Sequence, residues 1–193
     1  MPLHPAENRG YRELYLTGRQ AVKRLGRLAS AFDGTPTRDL LQRAAESISR
    51  LLDELGPLTA RLNLHGGVTA QGGGANLGTV RGAVFDRFLE RNQALRFAVE
   101  DLEHVTTLLA YLAAVSEARG DPKLPEFCRS WERRLRRQVG ATRKAAIELG
   151  SDPDAAIQPL DVSPAGRAAH RVAWAAGTVG EWTDRQIARR KQA

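Results

Sequence analysis

The chain is poor in the residues that fasten small folds or build redox and metal centres. It has one cysteine, Cys128, and one methionine in 193 residues. No internal disulfide can form, and a zinc site of the usual thiolate type is disfavoured. Lysine stands at only four positions, 23, 123, 144 and 191, although Lys and Arg together number 29. Aromatic residues make up 6% of the chain. Long apolar runs are missing as well. The longest, Val105 to Val115, contains two threonines and falls short of the ~20 residues a membrane span needs. The opening residues, MPLHPAENRGYREL, hold no apolar core of leader length. The expectation is a cytoplasmic chain with no transmembrane segment.

What is present is helix-forming sequence, and no segment alternates with period two. The length favours one domain over 1–193, large enough to bury a core without staples. Tyr11, Leu14, Tyr15, Val22, Leu25, Leu28, Ala29 and Phe32 recur at three- and four-residue steps and predict a helix over about 7–32. Leu41, Ala44, Ile48, Leu51, Leu52 and Leu55 predict a second from Arg38, with Thr37 as its cap and a kink or stop at Gly56-Pro57. A third is expected from about Thr79 to Ala118, and a fourth from about Pro125 to Leu149. Ser163 and Pro164 open a fifth that runs to about Arg189. The fold class is therefore all-α: an up-and-down helical bundle of about five helices.

Between the second and third helices lies HGGVTAQGGGANLGTVRG, residues 65–82. Gly73, Gly78 and Thr79 match part of a phosphate-loop pattern, but Thr79 stands where that pattern has lysine, and no strand precedes it. LTARLNL and NLGTVRGAVFDRF have the order of a helix-turn-helix, with an insertion about ten residues too long for its turn. The segment over 65–78 is expected to be a flexible interhelical loop that can order on a partner.

The formal net charge of +7 and a pI near 10.3 favour an anionic partner. The densest basic stretch is RSWERRLRRQVGATRK, residues 129–144. At about 100° per residue, Leu124, Phe127, Trp131, Leu135, Val139, Ala146 and Leu149 share one arc. Arg129, Arg133, Arg136, Arg137, Arg143 and Lys144 share an arc roughly opposite. Such a stripe can follow a phosphate backbone without reading sequence, with nucleic acid favoured over a membrane surface. Any surface helix is charged opposite its apolar stripe, so the excess of one sign is the informative part.

The fifth helix carries a face of small residues from Ala165 to Gly180, with Trp174 and Trp182 among Arg167, Arg171, Arg185 and Arg189. Arg171, Trp174, Trp182 and Arg185 form the candidate contact for a protein partner or a second copy. Glu100, Asp101, Glu103 and His104 approach a di-iron motif once, with Asp101 for the first glutamate. The expected arrangement there is a surface pair of Glu100 and His104. No catalytic motif is legible, and no catalytic residue, metal or cofactor is assigned. The leading function class is a non-enzymatic binding or assembly protein. The alternatives are a protein-interaction or homo-oligomeric module, and an enzyme or ligand-binding bundle without a recognisable motif.

Overall fold

The structure is a computed structural model, and it describes residues 3–64, 89–168 and 170–172. Four long helices build it. They are α1 (Pro5–Ala31), α2 (Pro36–Ala60), α3 (Arg91–Ala118) and α4 (Leu124–Leu149), followed by the single turn α5 (Pro153–Ala156). The chain is helical again over 164–168 and 170–172.

Local chemistry explains most ends. His4 caps α1, accepting from the Ala6 amide on Nδ1, while its own amide donates to Glu7. The α1–α2 turn passes through Gly34 at φ 75°, a left-handed position that suits glycine. Thr35, rather than Thr37, is the N-cap of α2, because Pro36 fits the first helical turn. Pro57 does not stop α2, which continues to Ala60. There a Schellman turn closes it: Asn63 is left-handed at φ 60°, and the Leu64 amide donates back to Thr59 O (3.0 Å).

The third helix starts later than its periodicity predicts. Glu90 is extended (φ −80°, ψ 155°), and α3 begins at Arg91 with a capping box between Glu90 and Gln93. The preceding backbone is occupied elsewhere. The Arg91 amide donates to Gln158 O and the Leu160 amide to Leu89 O, each at 2.9 Å, so 89–91 and 158–160 pair side by side. Val80, Val84 and Phe88 of the expected front half, and the Gly-rich stretch 65–78, lie outside the described residues. Ser163 does cap the helical residues after it, accepting from the Gly166 amide (3.1 Å).

The fold is all-α, as its periodicity predicts. α1 packs on α2 and α3, and α4 packs on α3 and α2, so α1 and α4 lie across one diagonal and α2 and α3 across the other. Every adjacent pair is antiparallel: Tyr15 meets Thr59, Arg24 meets Asp101, and Trp131 meets Glu54. Consequently α2 and α3 run in the same direction. Leu64 and Leu89 stand at opposite ends of the bundle, joined by residues 65–88. The core is a column of buried aliphatics: Leu14 and Leu25 of α1, Ile48 and Leu51 of α2, Leu102 and Leu109 of α3, and Leu135 of α4. Each such side chain contributes roughly 1.5–3 kcal/mol on burial. Among the described residues, no helix is long and apolar enough to cross a membrane.

The diagonal arrangement also sorts charge. α1 holds six basic and two acidic residues, and α4 holds seven and three. α2 holds three basic and four acidic, and α3 two and four. Each basic helix thus lies between two acidic ones. Arg24 pairs with Asp101 (3.0 Å) and His104 with Glu13 (3.2 Å) across α1 and α3. Asp101 and His104 face α1, which corrects the expected pairing of Glu100 with His104. Among the described residues, no group of three or more His, Cys, Asp or Glu side chains is placed to hold a metal ion.

Candidate nucleic-acid interface

α4 faces inward through Leu124, Cys128, Trp131, Leu135, Thr142 and Ala146, all buried. Phe127, Val139 and Leu149 pack against the same core at its margin. Trp131 is fixed on two sides. Its Nε1 donates to Glu54 Oε2 (3.0 Å), and the Arg134 guanidinium covers its ring at 4.9 Å. These anchors set the rotation of α4 and turn the arc from Arg129 to Lys144 outward.

The structure brings the six predicted contact residues onto one surface. Arg133, Arg136, Arg137, Arg143 and Lys144 are exposed, and Arg129 is half-buried at the edge. Carboxylates flank four of them. Arg129 pairs with Glu117 of α3, Arg133 with Glu126 (3.1 Å), Arg136 with Glu132, and Lys144 with Glu148 (3.6 Å). Arg137 donates to the Arg133 carbonyl (3.4 Å). Neither Arg137 nor Arg143 has a carboxylate partner among the described residues. Glu132 is largely buried, but the other three carboxylates are exposed, and exposed pairs of this kind are worth about 0–1 kcal/mol each. A partner's phosphates can therefore compete for these guanidinium groups at small cost.

Apolar periodicity gives no sign of Gly140, at the centre of the arc. The exposed Gly140 has Arg136, Arg137, Arg143 and Lys144 at i−4, i−3, i+3 and i+4. A side chain there would meet nothing within 4 Å. The signal was available in the symmetric pattern RRxxGxxRK, which a search for apolar periodicity does not register.

The candidate contact on the fifth helix is described only in part. Arg171 is exposed, whereas Trp174, Trp182 and Arg185 lie outside the described residues.

Two other places gather polar side chains. A cleft of about 230 Å³ between α3 and α4 has Ala110, Ala113 and Ala114 for a floor and Glu117, Arg129 and Glu132 for a rim. It is smaller than the ~300–1,000 Å³ of usual small-molecule sites. The second is a buried polar cluster where the N-termini of α1 and α4 meet the C-terminus of α3. Arg119 Nε stands 2.6 Å from Glu7 Oε2, and Ser116 Oγ donates to Glu7 Oε1 (2.7 Å). Tyr11 OH shares hydrogen bonds with Ser116 Oγ (3.2 Å) and Cys128 Sγ (3.8 Å). Asp121 receives Arg119 (2.9 Å) and the amides of Lys123 (2.9 Å) and Leu124 (2.8 Å).

Burial pushes the Tyr11 hydroxyl up and the Cys128 thiol up to about 11, so neither is ionised at neutral pH. Cys128 is thus an inert buried thiol rather than a nucleophile. Burial acts to raise Asp121, but the Leu124 and Lys123 amides and Arg119 outweigh it and hold the carboxyl below its ordinary 3.8. For Arg119, burial disfavours the charge, and Glu7 and Asp121 more than restore it. These contacts hold the end of the bundle together and leave no free nucleophile or base. Comparison with protein-family models, with curated proteins and with solved structures finds no match.

Proposed function

We propose that the protein is a non-enzymatic binding bundle that meets the phosphate backbone of nucleic acid through the outer face of α4. The observation that carries this reading is the arc of Arg129, Arg133, Arg136, Arg137, Arg143 and Lys144 on one helix. Three of the carboxylates beside it, Glu117, Glu126 and Glu148, are exposed and easily displaced, whereas Glu132 is largely buried. Contacts of this type neutralise phosphates and release counterions, giving affinity that falls steeply with salt and ignores sequence. The buried lone thiol suits a reducing compartment, and the reading places the protein in the cytoplasm.

The test is charge reversal. Arg133→Glu with Arg137→Glu should abolish binding to a labelled DNA or RNA duplex at low salt while the helical circular dichroism stays unchanged. Unaltered binding by that double variant would remove α4 from the interface.

A second reading, contact with a protein or a second copy through the segment from Ser163 onward, is favoured by Arg171 and Val172. Both are exposed, Val172 at 68%. On this reading Trp174→Ala or Trp182→Ala changes the sedimentation behaviour, with little dependence on salt. If both variants keep the unsubstituted oligomeric state, the second reading fails.

A further inference from the structure

Glycine in the middle of a helix is a standing cost against alanine, and elsewhere in this bundle a reason for it is visible. A Cβ on Gly10 would stand 2.8 Å from Leu112 Cδ2, and one on Gly18 would stand 3.1 Å from Leu52 Cδ2. Those two glycines let α1 pack closely on its neighbours. Gly140 has no such reason. Its side would be open space, and its φ is not in the left-handed region, where Gly34 and Gly120 lie. Neither packing nor backbone conformation asks for glycine there.

Its surroundings do. On a helix surface, the residues three and four positions away are neighbours at about 5–6 Å. For Gly140 all four, Arg136, Arg137, Arg143 and Lys144, are cations. Gly26 and Gly56 also have open space beside them, but Gly26 has Val22, Lys23, Ala29 and Ser30 at these positions, and Gly56 has Leu52, Asp53, Thr59 and Ala60. Gly140 is thus a bare spot on the helix surface inside a frame of positive charge.

We infer that Gly140 is the seat of a backbone phosphate of a nucleic-acid duplex, lying over the bare helix between Arg136, Arg137, Arg143 and Lys144. This rests on the α4 reading above and names its central contact. The missing side chain lets the phosphate come close enough for all four cations to reach it. A duplex fits better than a single strand because the face offers no stacking platform. Trp131 is buried, and Arg134 covers its ring. A membrane fits less well, because the apolar side of α4 is already held in the core and cannot insert.

The experiment is titration of a labelled mixed-sequence DNA duplex at about 50 mM and about 200 mM salt. Gly140→Leu keeps every charge and fills the bare spot. It should weaken binding about tenfold or more and reduce the slope of log K against log salt by about 0.9, one phosphate's share. Gly56→Leu, at a glycine of α2 that also has open space beside it, should bind like the unsubstituted protein. Gly140→Ala should raise the melting temperature by about 2–4 °C and weaken binding less than leucine does, so the inference stays testable if the leucine variant folds poorly. Unchanged affinity of Gly140→Leu, beside loss of binding by Arg137→Glu with Arg143→Glu, would overturn the seat and leave the α4 reading standing. No duplex binding by the unsubstituted protein at low salt would overturn both. Tighter binding to phosphatidylserine vesicles than to duplex would overturn the choice of nucleic acid.

Discussion

Arg119 and Arg137 carry the same side chain and do opposite things. Arg119 is 15% exposed and lies between Glu7 and Asp121; Ser116 also donates to Glu7, and Tyr11 in turn bonds Ser116. Arg137 stands exposed on α4 and donates to a carbonyl of its own helix. A charge taken out of water is held by its partners, and Arg119 keeps two carboxylates, so the cluster there tolerates little change. A charge left in water is free to change partners. The first arrangement serves the fold, and the second is what a binding face requires.

The comparison breaks most visibly at Glu7. Glu7→Ala leaves Arg119 without its closest partner and Ser116 without its acceptor, and should cost about 3–5 kcal/mol in a denaturant melt. Glu7→Leu combined with Arg119→Met should recover most of that loss, because removing both charges removes the need for pairing. If the double variant is no more stable than Glu7→Ala, the cluster's cohesion does not come from the ion pair.

Acid sharpens the same contrast. Asp121 sits below its ordinary 3.8 in the folded protein, so it contributes stability that is complete above that value. The contribution is lost as pH falls through the lower, folded value. Asp121→Asn should be less stable than the unsubstituted protein at neutral pH, and the gap should close in this acid window. A gap that stays constant down to about pH 2 would contradict the assignment.

The smallest expected effect lies on α4. Arg133→Glu with Arg137→Glu should move stability by only about 0.5 kcal/mol per site. A much larger loss would mean that these arginines are structural after all.

The two regions were not equally legible in the sequence. The face of α4 could be read because periodicity records both sides of a surface helix. Trp131 and Leu135 on one side imply Arg133 and Arg137 on the other. The same reasoning locates the core positions of α1 and α2, and the cap at Ser163 with Pro164 opening the helix after it. It could not find the Glu7 cluster. Glu7 and Ser116 are polar and 109 positions apart, so a pattern that places polar residues outside has no means of bringing them together. Pro57 was expected to kink or stop α2, but tertiary packing of Leu55 and Thr59 carries the helix through to Ala60. The late start of α3 was hidden for a similar reason. The Leu89 carbonyl and the Arg91 amide, on either side of Glu90, are claimed by Leu160 and Gln158, a long-range pairing that local propensity does not encode. His104 had a plausible partner one turn away in Glu100, and only the packing of α1 on α3 shows that Glu13 takes that place.

The direct test of the α4 face is the salt dependence of duplex binding by the unsubstituted protein. Each phosphate neutralised contributes about 0.9 to the slope of log K against log salt. With four of the six cations of the arc meeting at one phosphate and Arg129 and Arg133 able to reach two more, the account predicts tight binding at about 50 mM salt and a slope of about −2 to −3. Absence of binding at that salt, or binding with a slope near zero, would contradict it.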